Sequence, residues 1–313
     1  MTTQQLPQLG DTVFYTDGGL ETTLIFHHGL DLPHFAAFDL LKAEPGTRTL
    51  RDYYARYAKI AVAAERGFIL ETPTWRASRD WGQLLGYDAD ELVTINRRAV
   101  EMMEKLRWEL STKRSPMVIS GNVGPRGDGY DPSVQMSASA ATDYHREQIS
   151  TFAAAGVDLV SAVTLNYVAE ATGFASAAAE FGIPAVVSFT TETDGRLPTG
   201  QSLQEAIEAV DESAAVAPAY YMINCAHPDH FSGSLSNDSW VKRIRGVRAN
   251  ASRQSHAELD ECEVLDAGNP QEFGDLHREL QQQFSHLNIF GGCCGTDHRH
   301  VEAVDASLRR VAA

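Results

Sequence analysis

No stretch of the sequence approaches the roughly 18 consecutive apolar residues that a membrane-spanning helix requires. The hydrophobic share, 43% of 313 residues, suits a globular chain instead. The N-terminal run Met1 to Asp11 lacks both the basic start and the apolar centre of a secretory signal. A soluble, cytoplasmic protein is therefore the expectation. Positive charge is also scarce: 26 Lys and Arg face 42 Asp and Glu, a formal net charge of -16. Such a surface repels phosphate backbones and anionic lipid. The few basic clusters, such as Lys242-Arg243-Ile244-Arg245, are short enough to be ordinary solvated surface. Neither nucleic acid nor a membrane is expected as a partner, and homo-oligomerisation is left open. Cysteine is rare too, and 4 in a chain this long cannot form the disulfide framework of a small secreted domain. No repeat, low-complexity tract or proline-rich linker divides the chain, so residues 1–313 are read as one domain.

Short apolar, β-branched runs recur and usually end in Gly, Thr or Asn: Val13 to Thr16, Phe68 to Thr72, Met117 to Gly121, Val157 to Thr164, Ala185 to Thr190, Tyr220 to Cys225, Ile244 to Asn250 and Leu287 to Gly291. Between them lie stretches with helical period, such as Tyr53, Tyr57, Ile60, Ala61 and Ala64. Ser202 with Glu205 forms a capping box ahead of Leu203, Ala206, Ile207 and Val210. In the last helix Val301, Val304, Leu308 and Val311 share a face. Strict alternation implies a parallel sheet, and eight β/α units favour an α/β fold closed as a single (β/α)8 TIM barrel. A doubly wound open sheet is the alternative. The irregular stretches, residues 18–45, 74–88, 122–136 and 251–269, all follow strands and would gather on the barrel face where such enzymes place their chemistry.

Three of the cysteines occupy those strand ends. Cys225 closes the sixth run, and Cys293 and Cys294 follow the eighth in Gly291-Gly292-Cys293-Cys294-Gly295. In a barrel the sixth and eighth strands flank the seventh, so the three thiols can converge, with the flanking glycines permitting the turn that aims adjacent sulfurs at one point. Three thiolates make a soft site that selects zinc, with one tetrahedral position left for water or substrate. On spacing alone the alternative stands equally: a buried, apolar Cys225 and a fortuitous pair. Cys262, between Glu261 and Glu263, reads as incidental, because neighbouring carboxylates discourage a thiolate.

Several strand-end motifs together carry a resemblance. They are Asp17-Gly18-Gly19, Glu71-Thr72-Pro73-Thr74, Gly121-Asn122-Val123-Gly124-Pro125, Asn224-Cys225 and Gly291-Gly292-Cys293-Cys294-Gly295. With them the chain resembles, nearly end to end, the homocysteine S-methyltransferase family, which includes zinc-dependent betaine and S-methylmethionine enzymes. The resemblance implies Zn2+ on Cys225, Cys293 and Cys294, a small-molecule thiol acceptor and a small methyl donor. It also implies substrate contacts from Asp17, Gly18, Gly19, Thr72, Asn122, Thr164 and Asn224. Asp17 would face the homocysteine ammonium, and backbone N–H groups beside it the carboxylate. A free alkyl thiol, with a pKa of about 8.5, is mostly protonated at neutral pH. Zinc coordination would deprotonate it so that it attacks the methyl group of an onium donor.

The chain departs from the family pattern at Val163, where relatives commonly carry a Glu that pairs with the ammonium, and at Pro73, where they often have Asn. A different thiol or a selenol is therefore the rival acceptor, and a non-catalytic zinc-binding barrel the rival from another class. Trp75, Trp81, Tyr130 and Tyr167 ring the expected mouth and could hold a methylated cation, though loop packing is favoured for each ring. His227 reads equally as a partner of the metal ligands or as a hydrogen-bonded loop residue, and His145 as surface.

Overall fold

The computed structural model describes residues 6–260, 262 and 264–310. Eight parallel strands close in sequence order: β1 Phe14–Tyr15, β2 Gly67–Glu71, β3 Met117–Val123, β4 Leu159–Leu165, β5 Ala185–Phe189, β6 Tyr220–Asn224, β7 Ile244–Ala249 and β8 Ile289–Gly292. Closure is made by β1 on β8, with Phe14 opposite Ile289 and Tyr15 opposite Phe290. The closed barrel rules out the open-sheet alternative, and each predicted run holds one strand to within about two residues at either end.

Side chains alternate across each strand, and this period sorts the sheet into two cores. Phe14, Ile69, Val118, Leu159, Val186, Tyr220, Met222 and Ile289 fill the barrel interior. Tyr15, Phe68, Ile119, Val160, Val187, Tyr221, Val247 and Phe290 instead pack outward under the helices. One register step nearer the strand ends the interior turns polar. Ser120 Oγ donates to Ser161 Oγ (2.8 Å), and Ser161 Oγ to Glu71 Oε2 (2.7 Å). The opposite end is closed by Leu6 and by Gln8, whose carbonyl accepts from Asn288 Nδ2 at 3.0 Å.

The long outer helices are Glu44–Ala64, Ala89–Leu110, Ala138–Ala155, Val168–Glu180, Leu203–Ser213, Pro270–Gln283 and His298–Arg309. The Ser202/Glu205 capping box is formed. Val301, Val304 and Leu308 are buried together, and Val311 lies outside the described residues. After β6 the pattern weakens, and the short helix Pro228–Phe231 and the 3-10 turns Ser232–Ser234 and Ser239–Arg243 occupy that place. The segment expected to be irregular after β1 also contains helical turns, Leu20–Thr22 running into the π-helical Thr23–His27. No described helix is long and apolar enough to cross a membrane.

Candidate metal centre and substrate cavity

Cys225 follows β6 directly and adopts φ 55°, in the left-handed region. Few non-glycine residues tolerate it. The conformation is over-determined: the Cys225 N–H donates to the Arg248 carbonyl (3.1 Å), and its own carbonyl accepts from Asn250 Nδ2 (3.0 Å) and Thr190 Oγ1 (3.4 Å). The Cys293-Cys294 turn is stitched to the end of β7, Cys293 N–H to the Ala249 carbonyl (2.8 Å) and Ala251 N–H to the Cys294 carbonyl (3.1 Å). Gly295, at φ 78°, ends it. The unusual dihedrals thus fall on Cys225 and Gly295. Gly19, by contrast, is needed for close approach, since a Cβ there would meet the Cys293 carbonyl and Thr22 Oγ1.

The three sulfurs lie within 4.8 Å of one another, Cys225 Sγ being 3.5 Å from Cys294 Sγ. They titrate as a unit. Hydrogen bonds from Cys293 and Cys294, with a third from the Tyr130 hydroxyl (3.0 Å), hold the Cys225 thiol well below its usual range. Sharing with Cys225 pushes Cys293 up to about 12 and Cys294 well above its usual range. Among the described residues no His, Asp or Glu joins this cluster, and Cys262 stands apart, its Sγ donating to the Glu258 carbonyl (3.1 Å) and Gln254 Oε1 (3.4 Å). Glu261 and Glu263 lie outside the described residues.

Above the sulfurs opens a cavity of about 430 Å3. All seven expected substrate residues, Asp17, Gly18, Gly19, Thr72, Asn122, Thr164 and Asn224, line it. Asn224 is locked in place: its Oδ1 accepts from the Thr164 N–H (2.8 Å) and Ser188 Oγ (2.7 Å), and its Nδ2 donates to Thr164 Oγ1 (2.8 Å). Thr72 Oγ1 accepts from the Asn122 N–H at 2.9 Å, while Asn122 Oδ1 is buried with no partner among the described residues. Val163 and Pro73 line the same cavity and offer it no charge.

The Asp17 cradle differs from expectation. Both Asp17 carboxylate oxygens are engaged, one by Arg248 Nη2 (2.8 Å) and the other by the Tyr53 hydroxyl (3.1 Å). The Gly19 N–H is spent on Thr296, at 3.1 Å from its carbonyl and 3.0 Å from its Oγ1. Arg248 also lies 3.9 Å from Glu71 Oε2, so one buried guanidinium serves two buried carboxylates. Burial pushes both acids up, and Arg248 opposes the shift; between them they hold Arg248 above its ordinary range although burial alone would lower it.

Sequence reasoning missed Arg248, although its signal was present: counted by twos from Gly246, it is an arginine on the inward face of β7. It also missed Glu21, two residues past the Asp17-Gly18-Gly19 motif, and Arg76, whose guanidinium lies 3.9 Å from the Trp75 ring centre and 3.6 Å from that of Trp81. Those two rings are therefore occupied. Tyr167 accepts from the Met136 N–H, while Tyr130, stacked on His256, does line the cavity. His227 is a helix cap, its Nδ1 accepting from the Asp229 N–H at 3.2 Å. His145 is corrected from surface to core: its Nε2 lies 3.0 Å from Glu170 Oε1, and both side chains are buried because the helices Ala138–Ala155 and Val168–Glu180 close over them.

Homocysteine S-methyltransferase 4 of Zea mays is 24% identical over 316 residues, covering 94% of this chain and 88% of the relative. The selenocysteine methyltransferase of Astragalus bisulcatus is 28% identical over 243 residues, 67% of this chain and 68% of that one. The crystal structure of the homocysteine methyltransferase MmuM from Escherichia coli, in its metallated form, superposes with a TM-score of 0.74 at 20% identity and 96% coverage of both chains, a likeness of fold. The sequence pattern of homocysteine S-methyltransferases matches residues 15–308, and the chain belongs to that family.

Proposed function

We propose that this protein is a zinc-dependent S-methyltransferase that moves a methyl group from a small onium-type donor to an acceptor thiol, with homocysteine the default acceptor and methionine the product. The observation that carries the reading is the convergence of three cysteine sulfurs, and of no harder ligand among the described residues, on the floor of a cavity at the strand ends. The donor set fits the ion. Zinc–sulfur bonds of about 2.3 Å in a tetrahedron put sulfurs roughly 3.8 Å apart, and the sulfurs here lie 3.5 Å to within 4.8 Å of one another. Zinc held there would supply the deprotonation of the acceptor thiol near neutral pH.

The chain's own residues do the rest. The Asn224–Thr164–Ser188 lock fixes the strand ends that carry Cys225, and the Tyr130 hydroxyl tempers the charge on its sulfur. Transfer requires acceptor and donor in line within the cavity, so that the acceptor sulfur's electron pair forms the new C–S bond while the leaving heteroatom keeps the old pair and departs neutral. Zinc-loaded protein incubated with a matrix of methyl donors and thiol acceptors, read by mass spectrometry, tests this. Methylated homocysteine is the expected product. Full zinc with no transfer from any donor would overturn the reading in favour of a non-catalytic barrel. Val163 and the kinship with a selenocysteine methyltransferase place selenocysteine in the same matrix.

A further inference from the structure

The cavity contains two charged side chains that the fold does not use. Arg76 is buried, yet among the described residues it makes no ion pair. Among those residues it donates one hydrogen bond, from Nη1 to the Gly127 carbonyl (3.2 Å), and its Nε finds no partner. Its walls are fixed, because Trp75 Nε1 donates to the Val163 carbonyl and Trp81 Nε1 to the Pro125 carbonyl, both at 3.3 Å. The guanidinium is thus a planar donor held in a slot between two ring faces, with Asp128 near it but no carboxylate paired to it among the described residues. Glu21 is half-buried on the same cavity wall and likewise forms no ion pair among the described residues. Burial pushes its carboxyl up to about 7, with Cys293 and Asp17 adding to the shift and Arg248 opposing it from a distance. Glu21 and Arg76 are near enough for their charges to act on one another without touching.

Asp128 also faces Arg76, but its Oδ1 is held in a turn by the Tyr130 and Asp131 N–H groups. Asp17 is committed to Arg248 and Tyr53, Gly19 N–H to Thr296, and Val163 stands at the family's carboxylate position. A buried guanidinium and a desolvated carboxylate across a gap are complementary to one ligand chemistry, a small molecule carrying a carboxylate and an ammonium on adjacent atoms.

We infer that Glu21 and Arg76 together hold the ammonium and the carboxylate of an α-amino acid substrate over the cysteine cluster, a reading that rests on the transferase function proposed above. Glu21 thereby supplies from the β1 loop the charge that Val163 withholds at β4. The test uses homocysteine, 4-mercaptobutanoate, which lacks the ammonium, and 3-mercaptopropylamine, which lacks the carboxylate, with one donor fixed. Removing one partner of a buried charge pair costs on the order of 30-fold or more. Glu21→Gln should therefore lower kcat/KM for homocysteine by that factor and leave 4-mercaptobutanoate unchanged. Arg76→Gln should do the same to homocysteine and leave 3-mercaptopropylamine unchanged.

Truncating the donor in the same way assigns the headgroup: selective losses that follow the donor series instead give the pair to the donor, and the inference stands. Equal losses for all thiols and all donors, or no loss in either series, would overturn it. Arg76→Lys keeps the charge but not the planar fork, so it covers the case in which Arg76→Gln unfolds; it should lose part of the carboxylate preference and none of the ammonium preference. Calorimetric binding of the three thiols to the zinc protein separates the two readings. Charge-selective binding without turnover would sink the transferase alone, and turnover without charge selectivity would sink the Glu21–Arg76 pair alone.

Discussion

Each of the four cysteines sits in a chemistry that its neighbours decide. Cys225, Cys293 and Cys294 share protons among themselves, whereas Cys262 donates to a helix carbonyl and an amide. Serine in place of a cluster cysteine offers a harder, protonated oxygen that zinc binds poorly. Cys293→Ser or Cys294→Ser should therefore drop metal content, measured by elemental analysis, from about one zinc per chain toward zero, with methyl transfer lost in parallel. Cys262→Ser should keep its zinc. Retention of metal by either cluster mutant would break the assignment of that cysteine. The cluster was legible in the sequence because adjacent cysteines bracketed by glycines are rare, and a third cysteine at a strand end two strands away completes them. Glu21 and Arg76 were not legible. Their role depends on which charges the fold leaves unpaired, and no local pattern records that.

At the level of elements, the strands were readable because buried parallel strands are nearly continuous apolar runs. What could not be read was register. Whether Arg248 points into the barrel depends on β7 pairing Arg248 with Gly291 on one side and Asn224 on the other. A one-residue slip would send it outward. The helix turns after β1 were hidden for a different reason, since they are set by tertiary contacts such as Gly295 N–H on Thr22 Oγ1 (3.3 Å) and carry little periodicity of their own. Arg248 joins β7 to Asp17 after β1 and to Glu71 on β2, so it spans the polar end of the barrel. Arg248→Met keeps the bulk but leaves two carboxylates buried without a cation. That should cost about 3 to 5 kcal/mol in urea unfolding, more than Asp17→Asn, which removes one of the two acids. A cost below about 1 kcal/mol would mean that the acids are neutral in the folded protein.

For the whole molecule, stability must also be paid against protons, and one buried residue makes the sign plain. His277, in the helix Pro270–Gln283, is fully buried between the Phe273 and Phe290 rings, at 4.2 Å and 6.0 Å between centroids. Its Nδ1 lies 2.7 Å from the Phe273 carbonyl, and its Nε2 has no partner among the described residues. Burial disfavours the imidazolium and lowers the pKa from 6.5 to about 4. The unfolded chain therefore takes up the proton first. The contribution of the neutral, buried imidazole is present in full above about pH 6.5 and is lost as the pH falls toward 4, because between those values protons bind the unfolded state in preference. At 1.36 kcal/mol per pKa unit the loss from this site alone is roughly 2 kcal/mol between pH 7 and pH 5, and about 3 kcal/mol once both forms are protonated. The measurement is urea unfolding at pH 7, 6 and 5 for the wild type and for His277→Leu, whose side chain suits the aromatic surroundings and cannot titrate. The variant should lose about 2 kcal/mol less than the wild type over that interval. Parallel pH profiles for the two proteins would show that His277 is protonated in the folded state at little cost, and that its enclosure between the helix and β8 opens to water.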